Sequence, residues 1–152
     1  MENNRDKIKK RYDRIAPLYD MMELIMEKGK MSNWRKRLWE KVKNNIPENR
    51  GRLLEAGVGT SCVFCSVPDP VKGLKELKRV CKNEGKIIML EHMRTKKEPW
   101  GRLMDYFNWI SLYGWGANIN RRTMENIKKA DLKIEEVNNL WLDIVKEIVL
   151  SP

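Results

Sequence analysis

The run Leu53-Leu54-Glu55-Ala56-Gly57-Val58-Gly59-Thr60 sets an acid and two glycines at the end of an apolar stretch. Glycine has no Cβ, so a turn built from it lets the backbone approach a ligand closely, while the acid can orient polar groups of a nucleoside or amino acid. His92, the single histidine of the chain, ends another apolar run. Its imidazole could take a proton from an incoming nucleophile, or be hydrogen-bonded as part of a strand end. Arg94, Arg121 and Arg122 could meet a phosphate with forked hydrogen bonds, although surface arginines more often have no specific partner. Cys62-Val63-Phe64-Cys65 has metal or redox spacing, yet no second ligand pair accompanies it and the run is apolar. Core cysteines and no metal site are the expectation.

These residues need elements to position them. "YDRIAPLYDMMELIME" carries Tyr12, Ile15, Leu18, Tyr19, Met22, Ile25 and Met26 at helical spacing and is broken at Pro17. It reads as an amphipathic helix pair docked on a core, or as a lid over a ligand. Ser32 is the expected N-cap of a helix over 33–45, with Trp34, Leu38, Val42 and Ile46 on one face and Arg35, Lys36, Arg37, Lys41 and Lys43 on the other. Asp69-Pro70 opens a helix to about Asn83 with Val71, Leu74, Leu77 and Val80 inward. Lys86 to Glu91 reads as a parallel strand buried on both faces, because its apolar run is nearly continuous.

A short helix is expected over 123–130 and two final strands over 133–138 and 143–150. The stretch from Thr95 to Arg122 reads as irregular, and its dense aromatics (Trp100, Tyr106, Phe107, Trp109, Tyr113, Trp115) as core or pocket lining, less often as a lipid interface. Alternation of strands and helices points to an α/β sandwich.

The chain has 152 residues, enough for one core, and one domain over 1–152 is expected. It carries 31 Lys plus Arg against 21 Asp plus Glu, a formal charge of +10, which favours an anionic partner such as lipid headgroups or nucleic acid. Three cysteines without regular spacing, a polar start and no apolar run of about 18 residues suggest a cytoplasmic protein, peripheral at most on a membrane.

From "YDRIAPLYDMM" through "LLEAGVGT", "VFCSVPDPVKGLKELKRVCKNEGKIIMLEHMR" and "GANINRRTMENIKKADLKIEEV", the sequence resembles class I S-adenosylmethionine-dependent methyltransferases. Within them it looks like the branch acting on quinone precursors and phospholipid head groups, the phosphatidylethanolamine N-methyltransferase-like members in particular. The resemblance implies a Rossmann-like sandwich with a mostly parallel sheet and an antiparallel C-terminal strand, a helical lid over 1–46 and a core over 51–152. It implies cofactor binding by Glu55, Gly57, Gly59 and Thr60, by Ser61, Cys62 and Val63, and by Tyr12 and Tyr19 folding over the site. His92 and Tyr19 are its catalytic candidates, Glu91 and Asp20 weaker ones, and Arg94, Arg121 and Arg122 its acceptor-binding candidates. The implied chemistry is methyl transfer to a small-molecule or lipid acceptor at an anionic membrane surface, leaving S-adenosylhomocysteine.

A nucleic-acid methyltransferase or RNA-binding module is the competing class, since basic patches with interleaved aromatics serve either. "SVPDP" stands where amino-methylating enzymes of nucleic acids carry an Asn/Asp-Pro-Pro-aromatic motif. The sequence departs from the family after Thr60. A helix, a strand ending in a ribose-binding acid, a second helix and a third strand are missing, about 50 to 60 residues. Parallel strands need a crossover of about a dozen residues, and only Gly57 to Ser61 separate the two strand candidates. Thr60 and Ser61 are therefore expected to flank a segment of the complete protein, with a true deletion, inactive as an enzyme, as the alternative.

Overall fold

The computed structural model describes residue 13, residues 30–46 and residues 63–152, apart from the side chains of residues 30, 31 and 115. The Gly-rich turn, the junction of Thr60 with Ser61 and the segment carrying Tyr12 and Tyr19 lie outside the described residues.

Helix α1 spans Lys30–Asn45. It begins two residues before the expected N-cap, so Ser32 lies inside its first turn; Lys and Met are good helix formers and nothing at Ser32 stops the helix from starting earlier. Its Trp34 and Leu38 pack on Leu90 and Val145, as the apolar spacing predicts. Helix α2 spans Pro70–Val80. The Asp69 carboxylate accepts from the Lys72 backbone N–H at 3.0 Å and caps it, with Pro70 in the first turn. It ends three residues before Asn83, because Cys81 turns extended and closes the last turn onto Leu77.

Strand β1 spans Ile87–His92, α3 spans Trp100–Trp115, α4 spans Thr123–Lys129, and β2 and β3 span Lys133–Trp141 and Val145–Ser151. The sheet order is β1-β3-β2. Both pairings are antiparallel, with Met89 opposite Ile148 and Glu91 opposite Lys146 in one, and Ile134 opposite Leu150 in the other. The expected antiparallel C-terminal strand is β3. The expected parallel direction of β1 is not seen in its described pairing. Its burial on both faces, which suggested that direction, comes from helices packed on both sides of the sheet.

One face carries Met89, Met93, Ile148 and Leu150 against Leu74 of α2 and Ile127 of α4, with Phe64 closing the edge. The other face carries Leu90 and Val145 under α1. Side chains of successive strand residues point to opposite faces, so this arrangement fixes which face each residue of β1 serves. Among the described residues no helix is long and apolar enough to cross a membrane.

The stretch expected to be irregular contains α3, a helix of 16 residues. Its N-cap Pro99 offers no side-chain bond and its apolar residues run almost continuously, so neither a start signal nor a single apolar stripe marks it. Gly116, with φ 71°, ends it in the left-handed region that suits glycine. Its aromatics are not core: Trp100, Tyr106, Trp109 and Tyr113 are exposed.

Candidate functional site

Three segments meet at the end of β1. A 3-10 turn, Val63–Cys65, lies beside it. The Asn118 backbone N–H and side-chain amide both donate to the Cys65 carbonyl, at 2.9 and 3.2 Å. The Arg94 N–H donates to the Arg121 carbonyl at 2.9 Å, and Arg121 Nη2 donates to the Val67 carbonyl at 2.6 Å. The chain from Val63 to Val67, the end of β1 and the loop 118–121 are thereby held as one unit.

Glu91 lies at its centre. Strand alternation turns it to the Met89 and Met93 face, toward the 3-10 turn, and it is 2% exposed. Oε1 accepts from the Phe64 backbone N–H at 3.3 Å, while Oε2 is buried without a hydrogen bond. Burial pushes this carboxyl up to about 8, against the opposing pull of the Phe64 and Val63 backbone N–H groups. The group therefore holds a proton at neutral pH, and a cation brought against it would draw that proton off by favouring the carboxylate.

Arg121 Nε and Thr123 Oγ1 are also buried without a hydrogen bond. Both belong to the segment that Arg94 ties to β1. Burial lowers the pKa of Arg121, with the neighbouring Cys65 thiol acting in the opposite direction. Buried polar atoms without partners are rare in folded proteins, and Glu91 and Arg121, which both act on Cys65, mark the place where a polar ligand would gain hydrogen bonds.

Gly73 of α2 makes the closeness possible. A Cβ there would stand 3.0 Å from Phe64 Cε1, so the helix accepts the Phe64 ring only because residue 73 is glycine. A glycine inside a helical pattern was the available sequence signal for this contact.

Of the cofactor-lining residues expected from the sequence, Val63 alone is described, in the turn beside Glu91. Glu55, Gly57, Gly59, Thr60, Ser61, Cys62, Tyr12 and Tyr19 lie outside the described residues. His92 is turned to the α1 face, opposite Glu91, and burial lowers its pKa, which keeps the imidazole neutral. The Cys65 thiol is buried, and burial with the nearby Glu91 raises its pKa, which keeps it protonated and a poor nucleophile at neutral pH.

The three arginines expected at an acceptor part company. Arg121 enters the site. Arg122 is exposed and 3.5 Å from Glu125. Arg94 gives Nε to Asp105 at 3.0 Å, Nη2 to Glu98 at 2.7 Å and Nη1 to the Thr95 carbonyl at 3.0 Å. Its guanidinium is thus taken up in holding α3.

No protein-family model matches the chain. It is 33% identical over 73 residues to a Saccharomyces cerevisiae protein named Methyltransferase OMS1, mitochondrial. That match takes in 48% of this chain and 16% of the yeast protein, so the chain spans only a small part of that relative's length.

Proposed function

We propose that the chain is part of a methyltransferase that moves a methyl group from S-adenosylmethionine to a membrane-associated lipid acceptor, a phosphatidylethanolamine-like amine or a quinone precursor. The observation that carries the reading is the 33% identity to a protein named as a methyltransferase. The α/β architecture with helices on both faces of the sheet supports it, and on this reading further parallel strands continue the sheet as in a Rossmann-like sandwich.

When bound, the sulfonium of S-adenosylmethionine supplies an electrophilic methyl. The chain's own task is to align a nucleophile in line with it and to manage one proton. An amine acceptor arrives as an ammonium and must lose a proton before nitrogen can attack. Glu91, ionised by the cationic ligands beside it, takes that proton on Oε2; Arg121 and Thr123 offer donors to polar groups of the acceptor. His92, neutral and one residue on, is the second candidate for the proton. On this reading Glu55, Gly57 and Gly59 hold the methionine part of the cofactor.

Calorimetric titration with S-adenosylmethionine tests the reading. Saturable binding that a Gly57→Val, Gly59→Val pair abolishes is the expected result, and binding equal in both proteins would overturn it. Methyl transfer to vesicles of phosphatidylethanolamine should fall about 100-fold or more in Glu91→Gln, the loss typical of a missing proton acceptor. An equal fall in His92→Asn, with Glu91→Gln unaffected, would move the role to the histidine.

A further inference from the structure

Helix α3 turns its polar side chains inward. Asp105 accepts from Asn120 Nδ2 at 3.0 Å as well as from Arg94, Asn108 Oδ1 accepts from the Ile119 N–H at 2.9 Å, and Ser111 Oγ donates to the Ala117 carbonyl at 2.9 Å. Its aromatic side chains point the other way: Trp100, Tyr106, Trp109 and Tyr113 are between 63% and 71% exposed, with Leu103 and Ile110 among them at 46% and 40%. At about 100° per residue these six positions cover roughly half of the helix circumference. Arg102 is the single ion among them.

A helix facing water carries polar residues outward. An apolar face this broad marks a contact, and its make-up selects the partner. Tryptophan and tyrosine pair an apolar body with a polar edge, the combination suited to the headgroup boundary of a bilayer. The charge agrees. Lys96 and Lys97 precede the helix and Arg102 lies on the face, whereas the acids Glu98 and Asp105 are engaged by Arg94. The whole chain carries +10, which opposes the packing of this face on a second copy and favours an anionic surface.

We propose that α3 lies in the plane of an anionic lipid bilayer, with its aromatic face sunk into the headgroup and acyl boundary. At 16 residues it is about 24 Å long, and no described helix is long and apolar enough to cross the membrane. The proposal deepens the lipid-acceptor reading and rests on it for the purpose of the contact. The polar anchors of α3, Arg94 and Asn118, are also tied to the end of β1 and to the 3-10 turn, so a bilayer bound there would bring acceptor lipids to the same side of the fold.

Co-sedimentation with vesicles of phosphatidylglycerol and phosphatidylcholine, read beside the tryptophan emission, tests the proposal without any cofactor. Binding with a blue shift is expected, weaker in high salt and weaker on pure phosphatidylcholine. The pair Trp109→Glu, Tyr113→Glu should reduce vesicle affinity about tenfold or more, with an unchanged circular dichroism spectrum. Trp39→Glu, at a half-exposed tryptophan on α1, should leave it unchanged. If the glutamate pair fails to fold, Trp109→Ser with Tyr113→Ser serves in its place. Affinity unaffected by either α3 pair, or lowered equally by Trp39→Glu, would overturn the proposal. So would a lipid-free dimer, seen by light scattering, that the α3 pair dissolves. Failure to bind S-adenosylmethionine with vesicle binding intact would sink the methyl-transfer reading alone.

Discussion

The backbone N–H of Phe64 donates to Glu91 Oε1 at 3.3 Å, across 27 residues of sequence. That bond reaches one oxygen of a carboxyl whose other oxygen has none, so burial outweighs it and the folded-state pKa rises from 4.5 to about 8. The acid is protonated in the folded protein and ionised in the unfolded chain between those values. Unfolding then releases a proton, and stability falls as pH rises from about 4.5 to about 8, levelling off above. Glu91 should account for a loss on the order of a few kcal/mol across that window. Urea midpoints taken from pH 5 to pH 9 check this: Glu91→Gln should flatten the decline. A decline of equal slope in the variant would assign it elsewhere.

Turnover should follow the same group. If ionised Glu91 takes the acceptor's proton, the rate at low substrate should rise with pH and level off near 8 in the parent protein. The limb should vanish in Glu91→Gln while cofactor affinity stays the same. A limb retained in Glu91→Gln but lost in His92→Asn would place the proton on the other face of the strand.

Replacing Gly73 by valine should expel the Phe64 ring, because even a Cβ there stands 3.0 Å from it. Overpacking of this kind costs about 1–3 kcal/mol. Restoring space with a Phe64→Leu change in the same chain should recover part of the loss, a coupling that a double-mutant cycle in urea would read. Additive effects of the two changes would show that the contact is not tight.

Much of this fold was legible because apolar spacing and capping residues agree. Asp69-Pro70 announced α2, and Trp34 with Leu38 announced the buried face of α1. Strand direction was not legible. Met89, Leu90 and Glu91 are buried because helices cover both faces, and an antiparallel strand in that position has the same apolar run as a parallel one. Helix α3 was missed for a related reason. Its outward face is as apolar as a core face, so the pattern loses the contrast between sides from which a surface helix is recognised. In the site, the sequence pointed to the end of β1 but preferred its histidine. It could not show that Glu91 is the residue turned to the 3-10 turn, since that follows from register and packing.

Glu147 holds α1 to the sheet. It is 1% exposed and accepts from Asn138 Nδ2 at 2.9 Å, with Arg37 Nε at 3.7 Å and Lys41 Nζ at 3.8 Å. The basic face of α1 is thus partly used inside the protein. Glu147→Ala removes the buried acceptor of Asn138, while Lys41 keeps Glu136 and Arg37 is open to solvent, so it should cost about 1–2 kcal/mol. Replacement by glutamine keeps the Asn138 bond and should cost less. Equal midpoints for the alanine variant and the parent would show that these contacts contribute nothing.

Arg94 supports the last prediction, because two uses compete for one guanidinium. Its planar fork holds Asp105 and Glu98 together at the start of α3, and a Cβ on Gly101 would come within 2.5 Å of Nη1. An ammonium keeps the charge and loses the fork. Arg94→Lys should therefore loosen α3, seen as faster proteolytic cleavage between residues 96 and 116, and Gly101→Val should do the same by displacing the guanidinium. Soluble headgroup phosphates should bind these variants and the parent with the same affinity, since the parent arginine is already occupied. Cleavage at the parent rate, together with a loss of phosphate binding, would return Arg94 to the acceptor site that its type suggested.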